Sequence, residues 1–595
     1  MARFAERRLE PLPLPATREE WLAQCETLRR QVREIVGIDA LVPASWDLGV
    51  RCTGVLRRAG YRIEKLTYES YPGYAVPALL YVPESLCGRA PGVVSLAGHA
   101  YATGKATDYL QQRNANLALR GCVVLVYDYV DCGERNTGPD PGHDQPYGGG
   151  NDHGISSFSF SRRTPTALDV LDGMRALEVL LTRPEVDPQR LGFTGESGAG
   201  NSTYWMAALD PRVRLAVPVS SVTTFDYWIR HDRNWDWHQR PPGIRRVADI
   251  GTLLALHAPA PLLVVSSARR TDDTEFPWEE AEKSVAWARR VYGLLGAEEA
   301  IAHVESVTGH GYQEDKRRHL YRWVERWLDP PSPQGDAELP VRVEAFAELR
   351  CGLPKNSATL RSIYAEWLAP LPRTPRTPPP SLHGELRAFL RARLGLPEPL
   401  PAVAAARAGA EDKDGWRAES WLFQPEPDIR LSGVLIGAAQ ADGTVVLIPG
   451  RDEEAMARAL AAGHRVFAFD PRGTGEMADS GVARNWAWFA GRPLTGLWAL
   501  DLVQAARLCR ERLGASAVVV DARNRFGWAA LLAGAAMEDL LESGAIALPW
   551  TTLRERIHAE GDGALAEVFG LAERLDVPQL RVLWPGAKVS VARSG

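Results

Sequence analysis

The stretch FTGESGAGNS, centred on Ser197, constrains the fold more than any other feature of this chain. An apolar run (190–194) precedes it and a segment with apolar residues at helical spacing (201–209) follows, so it predicts a strand that turns sharply into a helix. Gly195 and Ala199 lie two residues on either side of the serine, where the two backbones come so close that only small side chains fit. This turn holds the serine in a strained conformation and directs its hydroxyl away from the sheet.

A turn of this kind also arises by chance in a chain with 53 glycines, so a nucleophilic serine is predicted only if a base and an acid accompany it. A buried-type strand at 261–267 leads into a polar loop with Asp272 and Asp273, of which Asp273 is favoured as the acid. A strand-like run at 300–307 opens into TGHGYQED, which places His310 between two glycines. Singly, the carboxylates suit a turn or a helix cap, and the histidine suits a surface loop. Together they give the order serine, acid, histidine, each after a predicted strand, which is typical of α/β-hydrolases.

A reaction at the serine also needs hydrogen-bond donors for a developing oxyanion. The backbone N–H of Gly198 lies at the start of the predicted helix, where unpaired donors and the positive end of the helix dipole stabilise negative charge. The second donor is expected after the strand at 93–96, and we assign it to the backbone N–H of His99, with Ala100 as the alternative. The imidazole of His99 then either lines the pocket or forms a local hydrogen bond.

Two irregular excursions rich in polar and aromatic residues, 136–163 and 223–246, are predicted to wall the pocket. The side chains expected to contact substrate, there and near the turn, are Glu196, Lys105, His153, Trp237 and His238. Lys105 equally suits a solvated or structural charge. The histidines and aspartates of the excursions match no familiar zinc or facial-triad spacing, so neither a metal ion nor another cofactor is expected.

Length and composition set the class of protein. With 595 residues, of which 45% are hydrophobic and 24% charged, the chain is too long for one core. A formal charge of −5 and the lack of a basic block interleaved with aromatics argue against a nucleic-acid partner. No apolar run reaches the roughly 18 residues of a membrane span, and the first residues are charged and proline-broken, so a cytoplasmic location is expected. Seven cysteines without a Cys-x-x-Cys pair indicate reduced thiols.

The order of predicted elements indicates an α/β architecture. Thr17 and Glu20 form a capping box before an amphipathic helix, and strand and helix patterns then alternate to Trp327. Such alternation predicts a mostly parallel sheet with helices on both faces and active groups at the carboxyl ends of its strands. Residues 1–330 are therefore interpreted as a catalytic α/β-hydrolase domain with an amino-terminal helix, and residues 331–385 as a proline-rich linker and connecting segment.

The second half of the chain repeats the pattern of the first. GHRVFAFDPRGTGE echoes GCVVLVYDYVDCGE, so residues 386–595 are interpreted as a second, degenerate domain, giving two tandem α/β-hydrolase-like domains. Matching Gly527 to Gly200 puts Asn524 where Ser197 stands, and an amide is not a nucleophile. The last strand-like run, 581–589, is not followed by a histidine. The second domain is thus expected to be non-catalytic and to serve as a scaffold, a pocket wall or a dimer surface.

Several segments together resemble the α/β-hydrolase superfamily, within it the acetyl xylan esterase and dienelactone-hydrolase-type branch, including bacterial proteins with two tandem domains. These segments are GHAYATGK, DYVDCGERNTG, RLGFTGESGAG, ALHAPAPLLVVSS with DTEFP, and VTGHGY, and WHQRPPGI resembles a further loop of that branch. The resemblance implies Ser197 as nucleophile, Asp273 as acid and His310 as base, with main-chain donors near His99 and Gly198. Ala199 departs from the more usual glycine, and the missing secretion signal argues against polymeric xylan as substrate.

These observations predict a serine carboxylesterase that removes a small acyl group, such as acetyl, from a sugar-like or other hydroxylated small molecule through an acyl-enzyme. One alternative is a peptidase of the prolyl-oligopeptidase type, although only about ninety residues precede the first core strand, too few for a propeller. The other is a non-catalytic ligand-binding protein. The sequence does not determine the acyl group, the leaving alcohol or the oligomeric state, and it is compatible with a homo-oligomer.

Overall fold

A computed structural model describes residues 12–591 apart from 43–46, 87, 137–162, 232–236, 272, 368–376, 414, 439–440, 442, 479–481, 554, 556–567 and 569. The described chain forms two units, each built on one mixed, mostly parallel sheet with helices packed against it. Within the described residues, no helix combines the length and the apolar character needed to cross a bilayer.

The first sheet has nine strands in the order β1-β2-β3-β5-β4-β6-β7-β8-β9. The first three strands form an antiparallel meander, β3 pairs antiparallel with β5, and all remaining neighbours are parallel. The strands are β1 (Arg51–Arg58), β2 (Tyr61–Tyr71), β3 (Tyr74–Pro83), β4 (Ala90–Leu96), β5 (Val123–Tyr127), β6 (Val186–Glu196), β7 (Leu215–Val219), β8 (Leu262–Ser266) and β9 (Ile301–Glu305).

The helices of the first unit follow the predicted alternation. The amino-terminal helix begins after Thr17, whose hydroxyl accepts from the backbone N–H of Glu20, as the capping pattern predicted. The helices are α1 (Arg18–Val36), α2 (Asp108–Leu119), α3 (Pro165–Leu181), α4 (Ser197–Leu209), α5 (Phe225–His231), α6 (Ile250–Ala255), α7 (Trp278–Leu294), α8 (Glu314–Leu328), α9 (Phe346–Leu349) and α10 (Leu360–Trp367).

The second sheet has eight strands in the order β10-β11-β12-β14-β13-β15-β16-β17, which repeats the first order strand for strand up to β8. Its strands are β10 (Ala404–Lys413), β11 (Trp416–Glu426), β12 (Ile429–Ala438), β13 (Thr444–Pro449), β14 (Arg465–Phe469), β15 (Ala517–Arg523), β16 (Ser543–Leu548) and β17 (Ala587–Val591). Its helices are α11 (His383–Leu394), α12 (Glu453–Ala461), α13 (Val482–Phe489), α14 (Leu494–Arg512), α15 (Asn524–Ala536) and α16 (Val577–Leu583).

The core lies on both faces of each sheet, because side chains of successive strand residues point to opposite sides. In β4, Val94 and Leu96 pack in the cluster with α3 and α4, whereas Val93 packs in the cluster with α2 and α8. A sheet covered on both faces leaves the carboxyl ends of the parallel strands as the place where loops gather, so the candidate site lies there.

The segment predicted as a linker packs on the first unit as far as Trp367. Glu344 forms an ion pair with Arg58 at 2.5 Å, the thiol of Cys351 lies 3.2 Å from a backbone oxygen of β3, and the backbone N–H of Ala358 donates to Gly73 at 2.8 Å.

The segment predicted as the last strand-like run, 581–589, contains the end of a helix followed by the start of a strand. Residues 577–583 form the helix α16, with Asp576 as its amino-terminal cap, and the strand starts only at Ala587. Asp576 accepts from the backbone N–H of Val577, which favours a helix over an extended run at this point. The described second sheet therefore ends one strand earlier than the first, without a counterpart of β9.

Candidate active site

Ser197 is the first residue of helix α4 and follows directly on β6, as the sequence predicted. Its φ of 53° lies in the left-handed region, which costs a non-glycine residue of order 1–3 kcal/mol. Close packing explains the small neighbours: a Cβ on Gly195 would lie 2.5 Å from the carbonyl oxygen of Ala199. The turn therefore accepts only glycine at 195 and presents the serine, half-buried, at the carboxyl end of the sheet.

The structure brings Asp273 and His310 together. Nδ1 of His310 lies 3.1 Å from Oδ2 of Asp273, across a separation of 37 residues. The imidazole stacks on the ring of Phe276, with 5.7 Å between ring centroids, and 40% of its side chain is exposed. Asp272 lies outside the described residues, and the contact that is described to Nδ1 of His310 comes from Asp273.

Hydrogen bonds fix the carboxylate of Asp273 from two sides. Ser267 donates its hydroxyl to Oδ2 at 2.7 Å, and the backbone N–H groups of Glu275 and Phe276 face Oδ1 at 3.3 and 3.2 Å. Burial alone raises the pKa of Asp273, but the bonds from His310 and Ser267 outweigh burial, so its pKa lies below the usual value. An ionised carboxylate on Nδ1 holds the imidazole in the tautomer that has Nε2 free to accept a proton.

Nε2 of His310 faces the serine turn. It lies 3.9 Å from Oε2 of Glu196, the residue before the serine. No hydrogen bond between the hydroxyl of Ser197 and this nitrogen is present among the described contacts, and in ligand-free active sites such a bond is commonly long. Burial lowers the pKa of His310, but the bond to Asp273 and the charge of Glu196 raise it more, so its net shift is upward.

The carboxylate of Glu196, which was expected to bind substrate, lies beside Nε2 of His310. Oε1 accepts a hydrogen bond from the Tyr109 hydroxyl at 2.7 Å. Oε2, the oxygen that faces His310, is buried. A buried negative charge at this point stabilises the protonated imidazole.

The two segments that carry the proposed oxyanion donors, 98–100 and 197–198, pack closely against each other. A Cβ on Gly98 would lie 2.9 Å from Cβ of Ser197, and a Cβ on Gly198 would lie 2.7 Å from Cε1 of His99. The backbone N–H of Ala100 donates to the carbonyl of Gly98 at 2.7 Å, so this alternative donor is engaged. The N–H of Gly198 is in the first turn of α4, where the helix offers no acceptor. These contacts favour Gly198 and His99 as the pair.

Lys316 is a residue that the sequence analysis missed. Its buried ammonium, on α8, donates to the carbonyl oxygens on both sides of His310, those of Gly309 and, at 2.8 Å, Gly311. Its third donor reaches the Ser220 hydroxyl at 2.8 Å, which lies 3.1 Å from the hydroxyl of Ser267. Lys316 therefore ties the loop of the base to the serine that holds the acid.

Lys105 was expected to be either a structural charge or a substrate contact, and its buried ion pairs show that it is a structural charge. Its side chain is fully buried, and Nζ lies 2.9 Å from Asp128 and 2.6 Å from Glu134. Burial lowers the pKa of Lys105, and the charges of Asp128 and Glu134 more than offset this, so the lysine stays protonated. A substrate has no access to this ammonium.

The remaining candidates lie in the excursions. His238 is buried, and its ring meets Tyr129 edge to face at 6.4 Å, while Tyr129 meets the ring of His99 at 5.5 Å. The backbone of Trp237 begins a short 3-10 helix, but its side chain and all of His153 lie outside the described residues. His238 is thus connected to His99 through the ring of Tyr129.

Comparison with known proteins gives matches of three kinds. Residues 58–227 match the family model "Acetyl xylan esterase (AXE1)". "Putative hydrolase YtaP" of Bacillus subtilis (strain 168) is 24% identical over 312 residues, 50% of this chain and 98% of that protein. "Uncharacterized peptidase YuxL" of the same strain is 27% identical over 186 residues, 27% of this chain and 25% of that protein. Among solved structures, "Methylesterase BT1017" gives a TM-score of 0.46 at 21% identity and covers 62% of this chain and 77% of that one.

The family match lies entirely in the first unit. The matched residues include β2, the loop of His99 and the serine turn, and they end before Asp273 and His310. The part of the first unit that carries Ser197 is therefore similar to the acetyl xylan esterase family.

Proposed function

We propose that the first unit is a serine carboxylesterase that removes a small acyl group, such as acetyl, from a sugar-like or other hydroxylated small molecule. The observation that supports this most is the 3.1 Å contact between Oδ2 of Asp273 and Nδ1 of His310. The other ring nitrogen of His310, Nε2, faces the turn of Ser197. The match to the acetyl xylan esterase family model favours an ester over other acyl compounds.

The reaction begins when Nε2 of His310 takes the proton of the Ser197 hydroxyl and the oxygen attacks the ester carbonyl. The carbonyl oxygen becomes an oxyanion, which the backbone N–H groups of Gly198 and His99 stabilise. His310 then returns the proton to the leaving alcohol, and the C–O bond to that alcohol breaks. The acyl group is left on the serine oxygen.

Deacylation repeats these steps with water. His310 takes a proton from the water, the hydroxide adds to the acyl carbon, and the serine oxygen leaves with the proton from the imidazole. Asp273 holds the ring through both stages and stabilises the imidazolium in each of them. The buried charge of Glu196 adds to this stabilisation from the Nε2 side.

A substrate panel tests the proposal. Wild type and Ser197→Ala are compared on short acyl esters, acetylated sugars and peptide amides. We expect the wild type to hydrolyse acetyl esters, with acetylated sugars among the best substrates, and Ser197→Ala to lose at least about 10⁴-fold in kcat. A preference for amides would support the peptidase alternative, and no turnover of any ester would support a binding protein.

A further inference from the structure

The segment 238–246, called the wall loop here, lies between the serine turn and the second unit. On the inner side, Asn201 of α4 donates to the side-chain oxygen of Gln239. The amide nitrogen of Gln239 lies 3.0 Å from the position that a Cβ on Gly198 would occupy. The wall loop therefore contacts the helix of the nucleophile and the turn that carries an oxyanion donor.

On the outer side, the wall loop is bound by helix α13 of the second unit. The indole N–H of Trp488 donates to the carbonyl of Arg240 at 2.5 Å, and the backbone N–H of Gly243 donates to the carbonyl of Trp488 at 2.8 Å. The guanidinium of Arg240 donates to Oδ1 of Asn485 and lies 5.2 Å from the ring centroid of Phe489.

A row of aromatic rings forms a second connection between the units. Phe489 lies 5.2 Å from Phe225 of α5, measured between ring centroids, and Phe225 lies 6.3 Å from Trp205 of the nucleophile helix. Phe489, Phe225 and Trp205 are all fully buried. Buried aromatic contacts of this kind are characteristic of a fixed interface.

Burial also argues for a fixed interface along the wall loop itself. Gln239 and Arg240 are each 1% exposed and Asn485 is 0% exposed. A buried guanidinium is strongly destabilising when it loses a partner, so Arg240 and α13 stay together in the folded protein. At the Gly243–Gly491 contact, a Cβ on Gly491 would lie only 3.0 Å from Cα of Gly243.

We infer that the second unit is a positioning element of the active site, whose helix α13 holds the wall loop against the serine turn. This inference rests on the proposed function for its kinetic test, because the second unit then contributes to catalysis through Gln239, Asn201 and the turn at Gly198.

A matched pair of substitutions in the full chain tests the inference. Trp488→Phe removes the N–H that binds Arg240, and Trp498→Phe removes an indole N–H that donates to Arg472 at 3.0 Å wholly within the second unit. We expect Trp488→Phe to lower kcat about 2- to 10-fold, the effect that the net contribution of one hydrogen bond allows. The acidic limb of the pH profile should stay in place. Trp498→Phe should leave kcat at the wild-type value.

Hydrogen exchange at the amides of residues 195–203 gives a second readout without substrate. Trp488→Phe should speed this exchange and Trp498→Phe should not. Asn485→Ala, which removes the acceptor of Arg240, repeats the test if Trp488→Phe does not fold. Wild-type kcat and wild-type exchange in a folded Trp488→Phe protein would overturn the inference, as would equal effects of both tryptophan substitutions. If the wild type hydrolyses no ester but exchange responds as expected, the positioning role stands and the proposed function fails.

Discussion

Ser197 and Asn524 occupy the same place in the two sheets, since each begins the helix that follows the central strand, with φ of 53° and 51°. Asparagine adopts this left-handed conformation more readily than serine does. The second turn thus keeps the backbone of a nucleophile turn and has an amide in place of the hydroxyl. The described second sheet also lacks the strand that would precede a histidine.

A serine at position 524 is expected to be inert. In the Ser197→Ala background, Asn524→Ser should give no more ester hydrolysis than Ser197→Ala alone, because the described second sheet lacks a counterpart of β9 and of the histidine that follows it. The measurement is turnover of a short acyl ester together with covalent labelling at position 524. Labelling at that position would show that the second unit has a base of its own.

Asp273→Asn should lower kcat by roughly 10⁴-fold, because an amide facing Nδ1 favours the wrong imidazole tautomer. The adjacent substitution Asp272→Asn is the matched control, and it should leave kcat within a few-fold of the wild-type value. Steady-state kinetics on one ester decide between the two carboxylates. A large loss in Asp272→Asn with an active Asp273→Asn protein would reverse the assignment.

Glu196→Gln should move the acidic limb of kcat/KM to lower pH. The general base works only when it is neutral, and an upward shift in the pKa of His310 means that protonation removes activity already at a higher pH. The neutral amide removes one cause of that shift, so the variant should stay active in more acidic solution. The exposed Glu275, which has a weaker influence on the ring, provides the comparison: Glu275→Gln should shift the limb less. An unchanged limb in Glu196→Gln would show that this carboxylate does not act on the base.

Lys316→Met should lower kcat about 10-fold and remove an alkaline limb near pH 8. Burial lowers the pKa of Lys316 to about 8, so the wild-type ammonium loses a proton as the pH rises through this value. The neutral amine has one donor fewer for its three acceptors, which loosens the loop of His310. Lys283→Met, at a side chain that is 60% exposed, is the control and should keep the wild-type profile. A wild-type kcat with the alkaline limb retained in Lys316→Met would contradict the role of the lysine.

The serine turn was predictable because local patterns determine it. The apolar run of β6, the helical spacing of α4 and the small residues around Ser197 are all read within about twenty positions. The distance between Asp273 and His310 depends on tertiary packing. The sequence therefore favoured Asp273 over Asp272 as the acid but did not determine which of the two contacts the histidine.

The features that the sequence did not predict depend on partners far along the chain. Lys316 looks like one cation of an amphipathic helix, and its role follows only from the loop at 309–311 and from Ser220, 96 residues away. The contact of Arg240 with Asn485 spans 245 residues. The burial of Lys105 follows from carboxylates 23 and 29 residues away, which a loop position does not reveal.

The most direct test of the account is the rate and site of covalent labelling by a fluorophosphonate, read by peptide mapping in the wild type and in His310→Ala. We expect a single adduct, on Ser197, that forms at least about 100-fold more slowly without the imidazole. An adduct on another residue, or labelling of Ser197 at the same rate in His310→Ala, would contradict it.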